Sequence, residues 1–418
     1  MTDAGPVPPD LPRRIVLGVA GGIAAYKVCE VLRRLTEAGH QVWVVPTESA
    51  LRFVGTATWE ALSGLPVHHG LFSDVAEVPH VRLGQTADLV LVAPATADML
   101  SRAAQGRADD LLSATLLTAR CPVLLVPAMH TEMWEHPATV ANVGLLRSRG
   151  TVVAEPAAGR LTGADSGAGR LPEPTEIVDL ATLLLHRPRA LPRDLAGRRV
   201  SVTAGGTREP LDPVRYLGNR SSGRQGYALA RVAAQRGAQV TLVAAHTPDL
   251  SDPAGVEVVR VGTARELQEA VLKAAPDSDA VVMAAAVADF RPPDPHPSKI
   301  KKSGSDPDPV PLILNPDILA ELVQRRPAGQ VVVGFAAETG DSERSVLDHG
   351  RAKLARKGCD LMVVNAVGEG LAFEVEHNAG WLLSDDGLET ELPQGPKTLL
   401  AAHVWDAVTA RLNTGARR

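Results

Sequence analysis

Two short stretches carry side chains whose types and spacing could do chemistry. SKIKK (298–302) sets Lys299, Lys301 and Lys302 on a loop flanked by Pro and Gly. Clustered ammonium groups can offset the charge of a polyphosphate, so that a carboxylate can approach it. The same pattern also describes a solvated surface loop. PAMHTEMW (127–134) follows the apolar run CPVLLV and brings His130, Glu132 and, just beyond, His136 to what reads as the end of a buried strand. It invites a metal reading, but nothing nearby completes a ligand set of zinc-like spacing. Cys29, Cys121 and Cys359 are odd in number, far apart and without a CxxC pair, so neither a disulfide framework nor a zinc knuckle is expected.

Such side chains need a scaffold, and the hydrophobic pattern supplies one twice. RRIVLGVAGGIAAYKVCEVLRRLTEAGHQVWVV (13–45) reads as strand, Gly-Gly turn, amphipathic helix, Gly break and second strand. RRVSVTAGG (198–206) and GYALARVAAQRGAQVTLVA (226–244) repeat the plan, with TREPLDPVRYLGNRSSGRQ (207–225) inserted between turn and helix. ADLVLVAP, CPVLLVP, DAVVMAAAV, QVVVGFAA and CDLMVVNA are continuous apolar runs, which predicts parallel strands covered on both faces. The expected fold is α/β, with two doubly wound Rossmann-like domains and a ligand crevice at the carboxyl ends of each set of strands. Prolines and charges in LLHRPRALPRDLAGRR (184–199) put the boundary near 190, giving domains 1–190 and 191–418.

The 418 residues carry a net charge of -5, with 45% hydrophobic and 22% charged residues. Two globular domains are expected, with no electrostatic attraction to nucleic acid or an anionic membrane. No apolar run approaches a bilayer span, and the first 14 residues lack a signal-peptide core, so the expected compartment is the cytoplasm. A dinucleotide is disfavoured as well. The second strands end in VVPTES and LVAAHT without a carboxylate for the ribose, and neither Gly-Gly turn has the full glycine spacing. A mononucleotide or another phosphorylated ligand suits a glycine turn at a helix start better.

GVAGGIAAYK (18–27), PTESA (46–50), PHVRL (79–83), APATAD (93–98) and PAMHTEMW all fall at or beside predicted strand ends. In order and spacing they resemble the flavin-dependent cysteine decarboxylases, a flavodoxin-like flavoprotein family. Together with the second half, residues 13–412 resemble the bifunctional phosphopantothenoylcysteine decarboxylase and phosphopantothenate-cysteine ligase family of coenzyme A synthesis. The resemblance implies FMN against Gly22, Ile23, Ala24, Thr47, Pro94, Ala95 and Thr96. A flavin fits the chemistry, because carbon dioxide leaving an sp3 carbon needs an electron sink. His80 matches the catalytic histidine, a residue type that changes charge near neutral pH and suits proton transfer at a thiol. His130 stands where the family has an asparagine that holds the substrate carboxylate, and an imidazole can still donate a hydrogen bond there. GRLTGADSGAGR (159–170) resembles the loop that closes over substrate. Its substrate-side positions are Gly163 and Asp165, and Gly163 replaces the family's proton-donating cysteine. Thr162, Asp165, Ser166 and water stand as alternatives to that thiol.

GNRSSGRQG (218–226), AAAVADF (284–290), SKIKK, NPDIL (315–319), GFAAET (334–339) and GRAKLARKGCD (350–360) resemble, in order, the ligase that joins cysteine to 4'-phosphopantothenate. Amide formation needs an activated carboxylate, and nucleotidyl transfer from CTP to give an acyl cytidylate supplies it. The resemblance gives Lys299 the direct phosphate contact and Asn219 a hydrogen bond to the acyl cytidylate. It puts Ser221, Ser222, Gly223, Met283, Ala284, Ala285, Asp289, Asn315, Pro316, Asp317, Ile318, Phe335, Lys353 and Lys357 at the nucleotide. Mg2+ would accompany CTP near Asp289, with no metal ligand set firmly assigned. Lys353 and Lys357 share one helix face, which suits the nucleotide or an exposed basic stripe equally. The product of both steps would be 4'-phosphopantetheine. The implied assembly is a homo-oligomer, trimeric through the N-terminal domain and dimeric through the C-terminal one, compatible with a dodecamer. The rival readings are a ligase whose flavin domain is inactive and a non-catalytic flavoprotein that binds partners.

Overall fold

The computed structural model of the chain describes residues 11–68, 70, 78–160, 166–301, 309–338, 345–366 and 377–415. Thr162, Gly163, Asp165 and Lys302 lie outside the described residues. The chain divides into two compact units, residues up to 193 with 253–255, and residues 194–252 with 256–418. Among the described residues no helix is long and apolar enough to cross a membrane.

The first unit runs through β1 (Arg14–Val19), α1 (Ala25–Glu37), β2 (Gln41–Pro46), α2 (Thr56–Ser63), α3 (Pro79–Thr86), β3 (Leu89–Ala95), α4 (Ala97–Gln105), α5 (Leu111–Thr118) and β4 (Val123–Pro127). It continues with α6 (Thr131–Glu135), α7 (Pro137–Ser148), β5 (Val152–Val153), β6 (Ala157–Arg160), β7 (Ser166–Arg170) and α8 (Pro174–His186). The main sheet is parallel in the order β2-β1-β3-β4-β5, and β6 and β7 pair separately as an antiparallel ribbon. Ile15, Val16 and Leu17 of β1 and Leu89 to Val92 of β3 are fully buried, as central strands covered by helices on both faces must be. Helix α1 buries Val28, Val31, Leu32 and Leu35, a single stripe at helical spacing, and turns its charged residues outward. The strand order reverses between β1 and β3, so the crevice at their carboxyl ends is the topological switch point.

The second unit comprises β8 (Arg199–Gly205), β9 (Arg208–Pro210), β10 (Tyr216–Gly218), α9 (Arg224–Gln235), β11 (Gln239–Ala245), β12 (Val256–Val261), α10 (Ala264–Ala274), β13 (Ala280–Met283), β14 (Phe290–Arg291) and β15 (Ile313–Leu314). Then follow α11 (Ile318–Arg325), β16 (Val331–Glu338), α12 (Val346–Lys357), β17 (Leu361–Ala366), β18 (His377–Ser384), β19 (Glu389–Pro396) and α13 (Lys397–Gly415). The sheet order is β12-β11-β8-β13-β16-β17-β18-β19. Strands from β12 to β17 are parallel, and β18 and β19 extend that edge as an antiparallel hairpin. Here the order reverses between β8 and β13. The inserted segment 207–225 forms the β9–β10 hairpin directly after the Gly-Gly turn of β8. That insertion separates turn from helix, which is why the second Gly-Gly turn is not a dinucleotide fingerprint despite the Rossmann strand order.

Arg236, at the end of α9, is 1% exposed and ties this unit together. Its guanidinium donates to Asp194 and Asp406 at 2.8 Å each and to the Ala402 carbonyl at 3.2 Å, joining the first segment of the unit to α9 and α13. Removing one partner of a buried ion pair strands the others. The two carboxylates keep about a third of their surface in water, which softens the loss. Arg236→Ala is therefore expected to cost about 3 kcal/mol, read as a lower urea midpoint for the second unit.

Candidate active sites

The first site is built from the loops that leave β1, β2 and β3. Ala20 N-H donates to the Pro94 carbonyl at 3.1 Å and Thr47 N-H to the Val19 carbonyl at 2.9 Å, which draws the three loops together. A Cβ at Gly21 would overlap the Ser49 hydroxyl, so only glycine lets the β1 turn pass the PTESA loop. A Cβ at Gly22 would lie 3.6 Å from the Thr96 methyl and 3.9 Å from Pro94. Gly22, Thr47, Pro94 and Thr96 thus share one crevice. Thr47 is 8% exposed, with its hydroxyl 3.0 Å from that of Ser49, and Thr96 caps α4 through Met99 N-H at 3.3 Å. Ile23 and Ala24 lead into α1, which has no side-chain cap and no acidic residue in its first turn. The Thr47 and Thr96 hydroxyls beside a helix start with no acidic residue in its first turn fit a flavin phosphate.

The PAMH turn joins this crevice through Ala128 N-H, which donates to the Ala95 carbonyl at 3.1 Å. Met129 N-H in turn donates to the Gly169 carbonyl at 2.9 Å, so β7 lies along the turn. His130 is exposed at the start of α6 and makes no side-chain capping bond. His136 has a structural task, accepting Ala138 N-H at 3.1 Å at the head of α7. Among the described residues no group of three or more His, Cys, Asp or Glu side chains could hold a metal ion. The Lys27–Glu173 pair at 3.3 Å and the Arg170–Glu173 pair at 2.7 Å connect α1 to the end of β7 and the start of α8. Sequence reasoning passed over these three residues.

His80 lies in the first turn of α3. Its carbonyl accepts the Thr118 hydroxyl at 2.7 Å, fixing the backbone against α5. Its ring Nδ1 is buried without a hydrogen-bond partner. Backbone hydrogen bonds and close approaches bring Gly22, Thr47, Pro94, Thr96 and the PAMH turn together, and among the described residues no hydrogen bond ties His80 to them. No cysteine takes part. Burial raises the Cys29 thiol and pushes Cys121 and Cys359 up to about 11.

The second site surrounds the switch point between β8 and β13. Thr207 N-H donates to the Ala286 carbonyl at 3.1 Å and Ala286 N-H to the Gly205 carbonyl at 2.8 Å, closing a bridge between the Gly-Gly turn and the AAAVADF loop. Two fully buried threonines hold that loop in shape. Thr203 accepts Ala285 N-H at 2.9 Å and Thr207 accepts Ala288 N-H at 3.0 Å. Asn219 follows β10 and donates to the Val287 carbonyl at 3.0 Å, which puts it on the same loop. Gly223, with φ of 75°, caps α9 against Gly205, bringing the Ser221-Ser222-Gly223 turn beside the Gly-Gly turn. Asn315 donates to the Ala288 carbonyl at 2.8 Å and receives Arg291 at 3.0 Å, while its own N-H meets the Asp289 carbonyl at 2.8 Å. Met283 to Asp289, Asn219 and Asn315 are therefore adjoining parts of one surface, with the Asp289 side chain exposed.

The lysines of α12 are not a solvated stripe. Lys353 pairs with Glu338 at the end of β16 at 3.1 Å, and Lys357 pairs with Asp317 at the cap of α11. Burial opposes ionisation of Asp317. The Lys357 and Ala320 N-H hydrogen bonds and the charges of Lys357 and Arg356 outweigh it and hold the carboxyl below the usual aspartate range. Pro316, Asp317 and Ile318 lead into α11, and Phe335 is half-buried on β16. Lys299 and Lys301 sit on an exposed loop.

Residues 195–412 match the family described as DNA/pantothenate metabolism flavoprotein C-terminal domain, and residues 8–186 match the family described as flavoprotein. The chain is 67% identical over 407 residues to the coenzyme A biosynthesis bifunctional protein CoaBC of Mycolicibacterium smegmatis, covering 96% of this chain and 98% of that protein. The Mycobacterium tuberculosis H37Rv protein of the same name is 66% identical over 407 residues, covering 96% and 97%. That of Vibrio parahaemolyticus is 42% identical over 379 residues, covering 90% and 92%.

Proposed function

From the premise that this chain belongs to the bifunctional ligase and decarboxylase family of coenzyme A biosynthesis, we propose how its residues divide the work. The second unit, containing residues 195–412, joins L-cysteine to 4'-phosphopantothenate with CTP. The first, containing residues 8–186, decarboxylates the product with FMN to 4'-phosphopantetheine. The observation that carries this reading is the coincidence of each residue set with a topological switch point, at the ends of β1 and β3 in one unit and of β8 and β13 in the other.

In the ligase unit, Lys299 and Lys301 neutralise the triphosphate as the 4'-phosphopantothenate carboxylate attacks its α-phosphorus. Pyrophosphate leaves with its electron pair, and the acyl cytidylate forms. Asn219 holds that species by a hydrogen bond, and cysteine's amine then displaces CMP. Ser221, Ser222, Gly223, Met283, Ala284, Ala285, Asn315 to Ile318 and Phe335 enclose the nucleotide. Lys353 and Lys357, anchored by Glu338 and Asp317, border it. Asp289 is the exposed carboxylate available to Mg2+, which typically binds through one or two carboxylates plus substrate phosphates.

In the flavin unit, Gly22, Ile23, Ala24, Thr47, Pro94, Ala95 and Thr96 hold FMN, which when bound supplies the electron sink for decarboxylation. His130 donates to the substrate carboxylate, with Gly163 and Asp165 on the substrate side. His80 moves the proton at the substrate thiol. We take the flavin site to be completed between copies of the chain. Ile23, 71% exposed, and Tyr26, 60% exposed, lie beside the crevice and favour a covering copy. We take the assembly to be trimeric through this unit and dimeric through the ligase unit, in the cytoplasm.

One coupled assay tests the whole. With 4'-phosphopantothenate, cysteine, CTP and Mg2+, purified protein carrying a flavin spectrum is expected to release pyrophosphate and then carbon dioxide in equal amounts. Pyrophosphate without carbon dioxide would leave a ligase with an inactive flavin domain. Release of neither would leave only a binding flavoprotein.

A further inference from the structure

Asp212 lies in the turn that closes the β9–β10 hairpin, and its side chain is fully buried. Its oxygens gather five donors. Oδ1 accepts the backbone N-H groups of Val214 and Arg215 at 2.8 Å each. Oδ2 accepts Arg215 Nε at 2.9 Å, Arg215 Nη2, and the backbone N-H of Ile300 at 3.2 Å. Arg215 Nη2 also donates to the Ile300 carbonyl at 2.9 Å, and His296 N-H donates to the Leu211 carbonyl at 2.9 Å. The turn therefore grips the lysine loop at three points, two of them on Ile300 between Lys299 and Lys301. Arg215 holds the Asp212 carboxyl far below the usual aspartate range, so the grip is permanently charged. At its other end the same hairpin delivers Asn219 to the Val287 carbonyl.

We propose that Asp212 is a positioning residue for ligation. It clamps Ile300 so that Lys299 and Lys301 are held in fixed relation to Asn219, through one hairpin two strands wide. A lysine on an untethered loop would reach a phosphate only after its backbone had been ordered, and tethering removes that cost before substrate arrives. This rests on the reading of Lys299 as the phosphate contact.

Asp212→Asn separates the two tasks of the carboxylate. The amide keeps an acceptor for the Val214 and Arg215 amides but turns an NH2 toward Ile300 N-H and gives up the charge that pairs with Arg215. In the full-length protein, hydrogen–deuterium exchange of peptides covering residues 296–301 is expected to accelerate. Pyrophosphate release should fall about a hundredfold, chiefly in kcat, while decarboxylation of supplied 4'-phosphopantothenoylcysteine stays at the parent rate. Unchanged exchange at 296–301 would overturn the clamp, as would ligation within about twofold of the parent despite faster exchange. Faster exchange throughout the second unit would make Asp212 a fold-stabilising residue and overturn it equally. Lys299→Ala is the companion variant. Normal ligation there beside a loss in Asp212→Asn would remove Lys299 from the reading and leave the clamp acting through Lys301 and Asn219.

Discussion

Replacing Lys299 with alanine is expected to lower pyrophosphate release about 10²- to 10³-fold while the purified protein keeps its flavin absorbance and its melting temperature. The expectation follows from where the charges are. Of the lysines at the second site, Lys353 and Lys357 already answer to Glu338 and Asp317, so part of their charge is spent within the protein. Lys299 lies on an exposed loop whose backbone, not its side chain, is anchored. Truncating it removes a charge that no ion pair among the described residues uses. For the same reason the variant should remain folded, in contrast to Arg236→Ala, where the guanidinium is part of the core. The measurement is continuous pyrophosphate release with CTP varied. A fall in kcat with a small change in KM would mean that Lys299 acts where charge develops rather than in ground-state binding. Ligation at the parent rate would take Lys299 out of the site.

Much of this was legible in the sequence because a parallel sheet advertises itself. Strands such as LVLVAPA and VVVGFAAE are buried on both faces, so they read as unbroken apolar runs, and the loops at their carboxyl ends are where a doubly wound fold presents ligand groups. The β18–β19 hairpin was harder to see. Its turn chemistry, Asp386-Gly387, is plain, but its strands lack strong alternation, and β19 exposes most of its residues. The site's supporting contacts were illegible for a different reason. Lys353 meets a glutamate 15 positions away and Lys357 an aspartate 40 away, so the four-residue spacing that put both on one helix face could not reveal their partners. Thr203, Thr207 and Asp212 look like ordinary strand and turn residues until the fold brings residues about 80 positions distant onto them.

His80→Asn is expected to cut carbon dioxide release from supplied 4'-phosphopantothenoylcysteine by about 10²- to 10⁴-fold, the usual range for loss of a positioned proton carrier. Pyrophosphate release by the ligase unit should stay at the parent rate. The side chain can be changed without disturbing the fold, because the contact that fixes His80 is the Thr118 hydroxyl on its backbone carbonyl. The imidazole itself leaves Nδ1 buried and unpaired, an unusual state for a histidine with only a packing role. A donor or acceptor withheld from the protein is available to a substrate. Asparagine preserves the size and one hydrogen-bond donor but cannot take up and return a proton, so it isolates transfer from binding. The KM for the substrate should therefore move little while kcat collapses. If carbon dioxide release persists in His80→Asn, the imidazole is structural after all. His130, the exposed side chain on the PAMH turn that the Ala128–Ala95 hydrogen bond holds against the flavin-side loops, is then the next histidine to substitute.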